Sequence, residues 1–268
     1  MKDERFERLR TARLWLIDLD GTLIRGGQAL PGADVLIQTL RRAERNFLIL
    51  TNNATRTPRA IARDLSHLGL DIEEDEVYTS PQALVDVLVR ERPSASVLAI
   101  GEEGLLEPLK RKGFRLVEDW READTVCVGL DRSLCYDALA RAALALQHGA
   151  QFYATNVDLR LPVEDGFHPG NGSIVRLLEG VSGKAAEVIG KPRPAMLQAA
   201  LARFGASPDD ALMLGDSLET DIPAASEIGM LGVLVRTGVS AAVKEGEIRA
   251  HTPLLFDDLP ALLAYLGD

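Results

Sequence analysis

Short, unbroken apolar runs recur along this chain, and between them lie stretches whose apolar residues fall at helical spacing. The runs are LWLI (14–17), NFLIL (46–50), SVLAIG (96–101), TVCVGL (125–130), QFYATN (151–156), ALMLG (211–215) and LGVLVRT (231–237). A strand that is apolar at every position has no face left for water, which is the condition of a parallel sheet covered by helices on both sides. Such strands cannot be joined by tight hairpins and need crossover helices. The repeated alternation therefore predicts an α/β fold with a doubly wound parallel sheet.

The helical stretches carry their own punctuation. Thr57 reads as an N-cap and Pro58 as the first helical residue, with Ile61, Leu65 and Leu68 on one face and Gly69 as the stop. The pattern restarts at Ser80 and Pro81 with Leu84, Val85, Leu88 and Val89. Further helices are expected over 33–43, 102–113, 136–149, 173–180, 195–205 and 222–228, the fourth preceded by a loop rich in glycine and proline. This divides the chain into a first core section, 1–79, an inserted α/β domain, 80–187, and a second core section, 188–268. Whole-domain insertions into loops are tolerated, and active sites favour the junctions they create.

With 46% apolar and 26% charged residues the composition is that of a globular domain, and no segment approaches the length of a bilayer span. The first residues, MKDERFERLRTAR, are charged throughout, lack the apolar stretch of a secretory signal and lead straight into the first strand, so a cytoplasmic protein is expected. Cys127 and Cys135 sit in apolar surroundings and read as two reduced core thiols. A net charge of −10 disfavours nucleic acid and anionic lipid as partners. The four histidines, His67, His148, His168 and His251, have no ligand spacing.

Polar residues gather where the apolar runs end. Asp18 and Asp20 follow LWLI, Thr51 and Asn52 follow NFLIL, and Asp216 follows ALMLG. In a parallel sheet those positions share the carboxyl edge, where ligands bind. Lys191 lies in GKPRP (190–194), with Pro192 and Pro194 restricting its backbone, and Asp221 lies at a helix start, as an N-cap or as a support for a metal. Two buried carboxylates need a positive partner. Asp18 and Asp216 with a main-chain carbonyl supply the hard oxygen ligands of Mg²⁺, while Thr51, Asn52 and Lys191 donate to phosphoryl oxygens. Asp18 can then serve as nucleophile, and Asp20 can protonate the leaving alcohol and afterwards activate water.

DLDGTL (18–23), TNN (51–53), GKP (190–192) and GDSLETD (215–221) resemble, in order, the four motifs of the haloacid dehalogenase superfamily of phosphatases. The insertion, with TNVD (155–158) and PGNG (169–172), resembles the α/β cap of the subfamily containing the nucleotide, pyridoxal phosphate, phosphoglycolate and p-nitrophenyl phosphate phosphatases. The subfamily commonly has proline where Val157 stands and alanine where Asn171 stands. The resemblance implies Asp18 as nucleophile and metal ligand, and Asp20 as acid/base lending its carbonyl to Mg²⁺. Asp216 completes the metal site, Asp221 supports it from behind, and Thr51, Asn52 and Lys191 hold the phosphoryl group. It further implies a small phosphomonoester as substrate, read in the cap by residues among which Asn156, Asp158 and His168 are candidates, and it allows a homodimer. Two other classes use similar residues. A phospho-accepting signalling module needs neither the acid at position 20 nor a domain-sized insertion, and a dehalogenase needs neither Asp20 nor the metal, while a phosphotransferase shares the scaffold.

Overall fold

The computed structural model describes residues 2–163, 165–246, 248, 252 and 254–267 of the chain. It divides into two units, one made of Met1–Thr51, Pro58–Tyr78 and Lys191–Asp268, the other of Asn52–Thr57 and Thr79–Gly190.

The first unit is built on a six-stranded sheet in the order Leu254–Phe256, Leu231–Val235, Ala211–Gly215, Leu14–Asp18, Asn46–Thr51, Val77–Thr79. The pairings along Leu14–Asp18, Ala211–Gly215, Leu231–Val235 and Leu254–Phe256 are parallel, as is that between Leu14–Asp18 and Asn46–Thr51. On one face Trp15, Ile17, Ile49, Leu212, Leu214, Val233 and Val235 merge with Leu36, Ile37, Leu40, Ile61 and Leu65 of two helices into one apolar cluster. The alternate residues Leu14, Leu16, Leu48, Leu50, Met213 and Leu234 are buried as well. Both faces are thus covered, which is why these strands read as unbroken apolar runs. Strand order reverses at Leu14–Asp18, which has Ala211–Gly215 on one side and Asn46–Thr51 on the other. That strand is the switch point at which ligands bind in such sheets.

Several elements differ from the sequence reading. The charged N-terminal segment does not run directly into the first strand but forms a helix, Lys2–Thr11, whose Leu9 is buried and whose Phe6 packs on the core. Val77–Thr79 and Leu254–Phe256 add edge strands, and Leu259–Gly267 adds a closing helix. The helix Ser80–Glu91 is capped by Thr79 instead of Ser80. The Thr79 hydroxyl accepts from the Gln82 amide at 3.4 Å, and Gln82 Oε1 accepts from the Thr79 amide at 2.9 Å.

The second unit has a five-stranded parallel sheet in the order Glu187–Val188, Gln151–Ala154, Thr125–Val128, Ser96–Ile100, Arg115–Leu116. Leu98, Ile100, Val126, Val128, Phe152 and Ala154 pack with Ala142, Leu146, Val175 and Leu178 of two helices. The glycine- and proline-rich loop contains an antiparallel hairpin, Arg160–Val163 with Gly166–Pro169, and the helix after it begins at Asn171, two residues earlier than its apolar pattern. Segment 52–57, placed by sequence with the first section, groups here because the Gly104 amide donates to Thr55 O at 3.2 Å and Asn156 Nδ2 to Asn52 O at 2.8 Å. Cys127 is buried as expected. Cys135 is exposed, not a core thiol, because it occupies the N-cap of Tyr136–Gln147.

Candidate active site

Two strand ends, one helix start and one turn of the first unit supply its charged cluster, and a third strand end places Thr51 beside it. Asp18 is the last residue of Leu14–Asp18 and pairs in register with Leu50, so Thr51 stands one step beyond it on the next strand. Ile17 pairs with Leu214 on the other side, and Asp216 follows that strand's last residue, Gly215. Lys191 comes from the turn before the helix Ala195–Phe204. Its Nζ donates to Asp18 Oδ1 at 2.6 Å, to Asp221 Oδ1 at 2.7 Å and to Leu50 O at 3.4 Å. One carboxylate oxygen from each of Asp18, Asp216 and Asp221 lies within 4.8 Å of the others. The lysine is only 2% exposed, and Thr51, Asp216 and Asp221 are equally deep.

Crowding sets the protonation of these groups. Burial pushes the Asp18 carboxyl well above its usual range, with the Asp221 and Asp216 charges adding to the effect and Lys191 opposing it. Burial, then Asp221, raises Asp216 to about 6. Burial works against the Lys191 charge, yet Asp18 and Asp221 outweigh it and hold the ammonium above its ordinary value. Three carboxylates facing one ammonium leave the cluster short of positive charge. Hard oxygens alone are offered to whatever supplies it, a donor set that fits Mg²⁺.

Main-chain amides aim the carboxylates. Asp216 Oδ2 accepts from the Val239 amide at 2.5 Å and Asp221 Oδ2 from the Ser217 amide at 3.1 Å, while the Thr22 hydroxyl donates to Asp18 Oδ2 at 3.2 Å. Asp221 is the first helical residue and Thr220 the N-cap, so Asp221 turns its carboxylate into the cluster instead of capping its helix. The loop after Leu231–Val235 reaches Asp216 only because residue 238 is glycine. A Cβ there would lie 1.7 Å from Asp216 Oδ2, and one on Gly21, whose φ is +95°, would lie 2.4 Å from the same atom. Thr22, Gly238 and Val239 escaped the sequence reading. The available signal was that Thr237 and Gly238 follow an apolar run just as the recognised motifs do.

Asp20 is exposed, in the turn that the Gly21 amide closes on Ile24 O at 2.7 Å. The remaining predicted residues belong to the second unit. There Asn52 and Asn156 meet, Asp158 is half-buried with its amide on Asn156 Oδ1 at 3.3 Å, and His168 is exposed on the hairpin opposite Leu161. His67 and His148 are exposed on separate elements, and His251 lies outside the described residues.

Family models match both ends of the chain, "haloacid dehalogenase-like hydrolase" over residues 15–115 and a HAD-hydrolase-like model over 188–262. The chain belongs to the haloacid dehalogenase-like hydrolases. It is 36% identical over 232 residues to the 5'-nucleotidase YutF of Bacillus subtilis (strain 168), covering 87% of this chain and 90% of that protein. It is 34% identical over 252 residues to the acid sugar phosphatase of Staphylococcus haemolyticus (strain JCSC1435), covering 94% and 95%. Among solved structures, the p-nitrophenyl phosphatase from Archaeoglobus fulgidus superimposes with a TM-score of 0.88 at 31% identity, covering 94% of this chain and 98% of that one. A thermostable NPPase from Geobacillus stearothermophilus gives 0.86 at 37%, covering 94% and 98%. Within the family the chain therefore falls in the phosphatase branch, among the enzymes that hydrolyse phosphomonoesters.

Proposed function

We propose that the chain is a Mg²⁺-dependent phosphatase that hydrolyses small phosphomonoesters through an aspartyl-phosphate on Asp18. The observation that carries this reading is the buried cluster of Asp18, Asp216 and Asp221 around Lys191 at the carboxyl end of the central strand. The Asp18 and Asp216 carboxylates, with the Asp20 main-chain carbonyl, would hold the ion, and Asp221 would support them from behind. Bound there, Mg²⁺ supplies positive charge that offsets the acids and polarises the phosphoryl oxygens.

In the reaction a carboxylate oxygen of Asp18 attacks phosphorus as the bond to the ester oxygen breaks, and Asp20 gives its proton to the departing alkoxide. Water then attacks the phosphorus of the acyl phosphate, Asp20 takes up its proton, and the bond to Asp18 breaks, releasing inorganic phosphate and the free carboxylate. Thr51, Asn52 and Lys191 hold the phosphoryl oxygens throughout. Asp20 fits its part by being exposed, since a group that passes protons to an alcohol and a water must reach both. The relatives' names, a 5'-nucleotidase, sugar phosphatases and p-nitrophenyl phosphatases, support substrates of the small phosphomonoester class, such as nucleotides, sugar phosphates and p-nitrophenyl phosphate, to which the motif resemblance adds phosphoglycolate and pyridoxal phosphate. The second unit, inserted in sequence between the phosphoryl-holding motifs, acts as the cap that selects among them, with Asp158 and His168 as reading residues. The mechanism is complete within one chain, and a homodimer is compatible with it.

Two experiments test this reading. Asp20→Asn should still accept phosphate from esters with good leaving groups such as p-nitrophenyl phosphate, yet steady-state turnover of alkyl phosphates should fall by about 10²- to 10⁴-fold. Alkyl phosphate turnover at the parent rate would remove Asp20 from the acid/base role. The second concerns the ion. Without metal, Asp216 titrates near 6, above its value in the unfolded chain, so its contribution is lost as pH rises from about 4 to 6, at a cost of roughly 3 kcal/mol. Mg²⁺ replaces the proton, so it should raise the melting temperature more at pH 7 than at pH 5. Equal shifts at the two pH values would contradict binding by these carboxylates.

A further inference from the structure

In the second unit the side chain of Asn156 does not point into open space. The residue is 6% exposed, and its Nδ2 donates to the main-chain carbonyl of Asn52 at 2.8 Å while its Oδ1 accepts from the Asp158 amide at 3.3 Å. The Asn52 carbonyl also accepts from Ser80 Oγ at 3.1 Å. Asn156 is itself held from behind, since Asn171 Nδ2 donates to Asn156 O at 2.8 Å and, more weakly, to Val128 O and Thr155 Oγ1, both at 3.3 Å. The Gly190 amide donates to Thr155 O at 2.9 Å. Thus Asn52, Ser80 and Gly190, which stand at or next to three of the four places where the chain passes between the units, are all gathered on residues 155 and 156 or on the carbonyl that Asn156 holds.

We infer that Asn156 is a positioning residue, whose side-chain amide fixes the Asn52–Asn53 peptide and so orients the turn that follows Thr51 for binding the phosphoryl group. The inference rests on the proposed role of Thr51 and Asn52. A carbonyl that receives two donors is fixed in direction, and the plane of its peptide is fixed with it. An asparagine suits the task because it donates to one main-chain carbonyl and accepts from another main-chain amide in a single rigid fork. Asn156 therefore influences phosphate binding without facing the substrate, and it couples that turn to the loop bearing Asp158.

Three variants test it, with inorganic phosphate as competitive inhibitor and p-nitrophenyl phosphate as substrate of the full chain with Mg²⁺. Asn156→Ala removes the donor, and Asn156→Asp keeps the shape but sets a carboxylate against the Asn52 carbonyl. Each should raise both KM and the phosphate inhibition constant by about tenfold, the effect of one lost hydrogen bond, with kcat changed less than about threefold. Ser80→Ala removes the other donor to the same carbonyl and should act in the same direction, with the double variant non-additive. A residue that only supported the fold would lower the melting temperature and the active fraction and leave both constants alone. Values within about twofold of the parent in a fully active enzyme, for Asn156→Ala and Ser80→Ala alike, would overturn the inference while leaving the proposed phosphatase intact. A parent that does not turn over phosphomonoesters would remove both.

Discussion

Asp18→Asn will abolish phosphomonoester turnover, by at least about 10⁴-fold, because an amide oxygen is too weak a nucleophile to carry the first displacement. The fold will survive it. Asparagine keeps the shape of the side chain, its one carbonyl oxygen taking the place of Asp18 Oδ1, which accepts from Lys191 Nζ at 2.6 Å, and its NH2 donating to the Thr22 hydroxyl, which lies 3.2 Å from Asp18 Oδ2. The electrostatics point the same way. Burial, with Asp221 and Asp216 adding to it, already pushes the Asp18 carboxyl upward, so removing its charge relieves a crowded site. Lys191 keeps Asp221 at 2.7 Å as a partner. The metal-free variant should therefore melt no lower than the parent at neutral pH, and Mg²⁺ should raise its melting temperature less. Kinetics and thermal unfolding on one preparation check both halves. Loss of activity together with a collapsed melting temperature would show that Asp18 serves the fold and not the chemistry.

Lys191→Met is expected to have the largest effect on stability. The ammonium is 2% exposed and lies within 2.7 Å of two carboxylates, and methionine replaces its stem but not its charge. Removing one partner from a buried ion pair strands the other, at a cost of about 3–5 kcal/mol. Here it strands Asp18 and Asp221 together, beside Asp216. The loss should be greatest near pH 7 and smaller near pH 5, where the Asp18 and Asp216 carboxyls, already raised by burial, take up protons instead. Mg²⁺ should recover much of the stability by supplying charge to the same oxygens. It should not recover activity, which falls by about 10²- to 10³-fold once the fixed charge meant for the phosphoryl oxygens is gone. Thermal unfolding at two pH values with and without Mg²⁺, alongside kinetics, separates these effects. Full activity in the presence of Mg²⁺ would contradict the phosphoryl-holding role.

The α/β architecture was legible because the central strands are apolar at every position, and the charged cluster because acids and a threonine interrupt those runs at one edge. Lys191 was legible from its place between glycine and prolines, though its double pairing with Asp18 and Asp221 depends on contacts across 173 and 30 residues that no local pattern encodes. The edge strands Val77–Thr79 and Leu254–Phe256 are too short to show a period. The closing helix, LPALLAYLG, is apolar almost all round, which blurs any stripe, and the N-terminal helix offers only Phe6 and Leu9 among charges. Cys135 illustrates a different limit, since apolar neighbours in sequence do not reveal a helix start on the surface. Asn156 was legible as a polar residue at a strand end, but its burial and its hold on Asn52 depend on a segment 104 residues away.

The most direct test of the covalent mechanism is to mix Asp20→Asn with p-nitrophenyl phosphate and Mg²⁺, quench in acid within a turnover, and map the phosphorylated residue by mass spectrometry. One phosphoryl group per chain is expected, on Asp18, formed with a burst of p-nitrophenol and absent from Asp18→Asn. Phosphate found on another residue, or a burst with no phosphorylated aspartate at all, would contradict it.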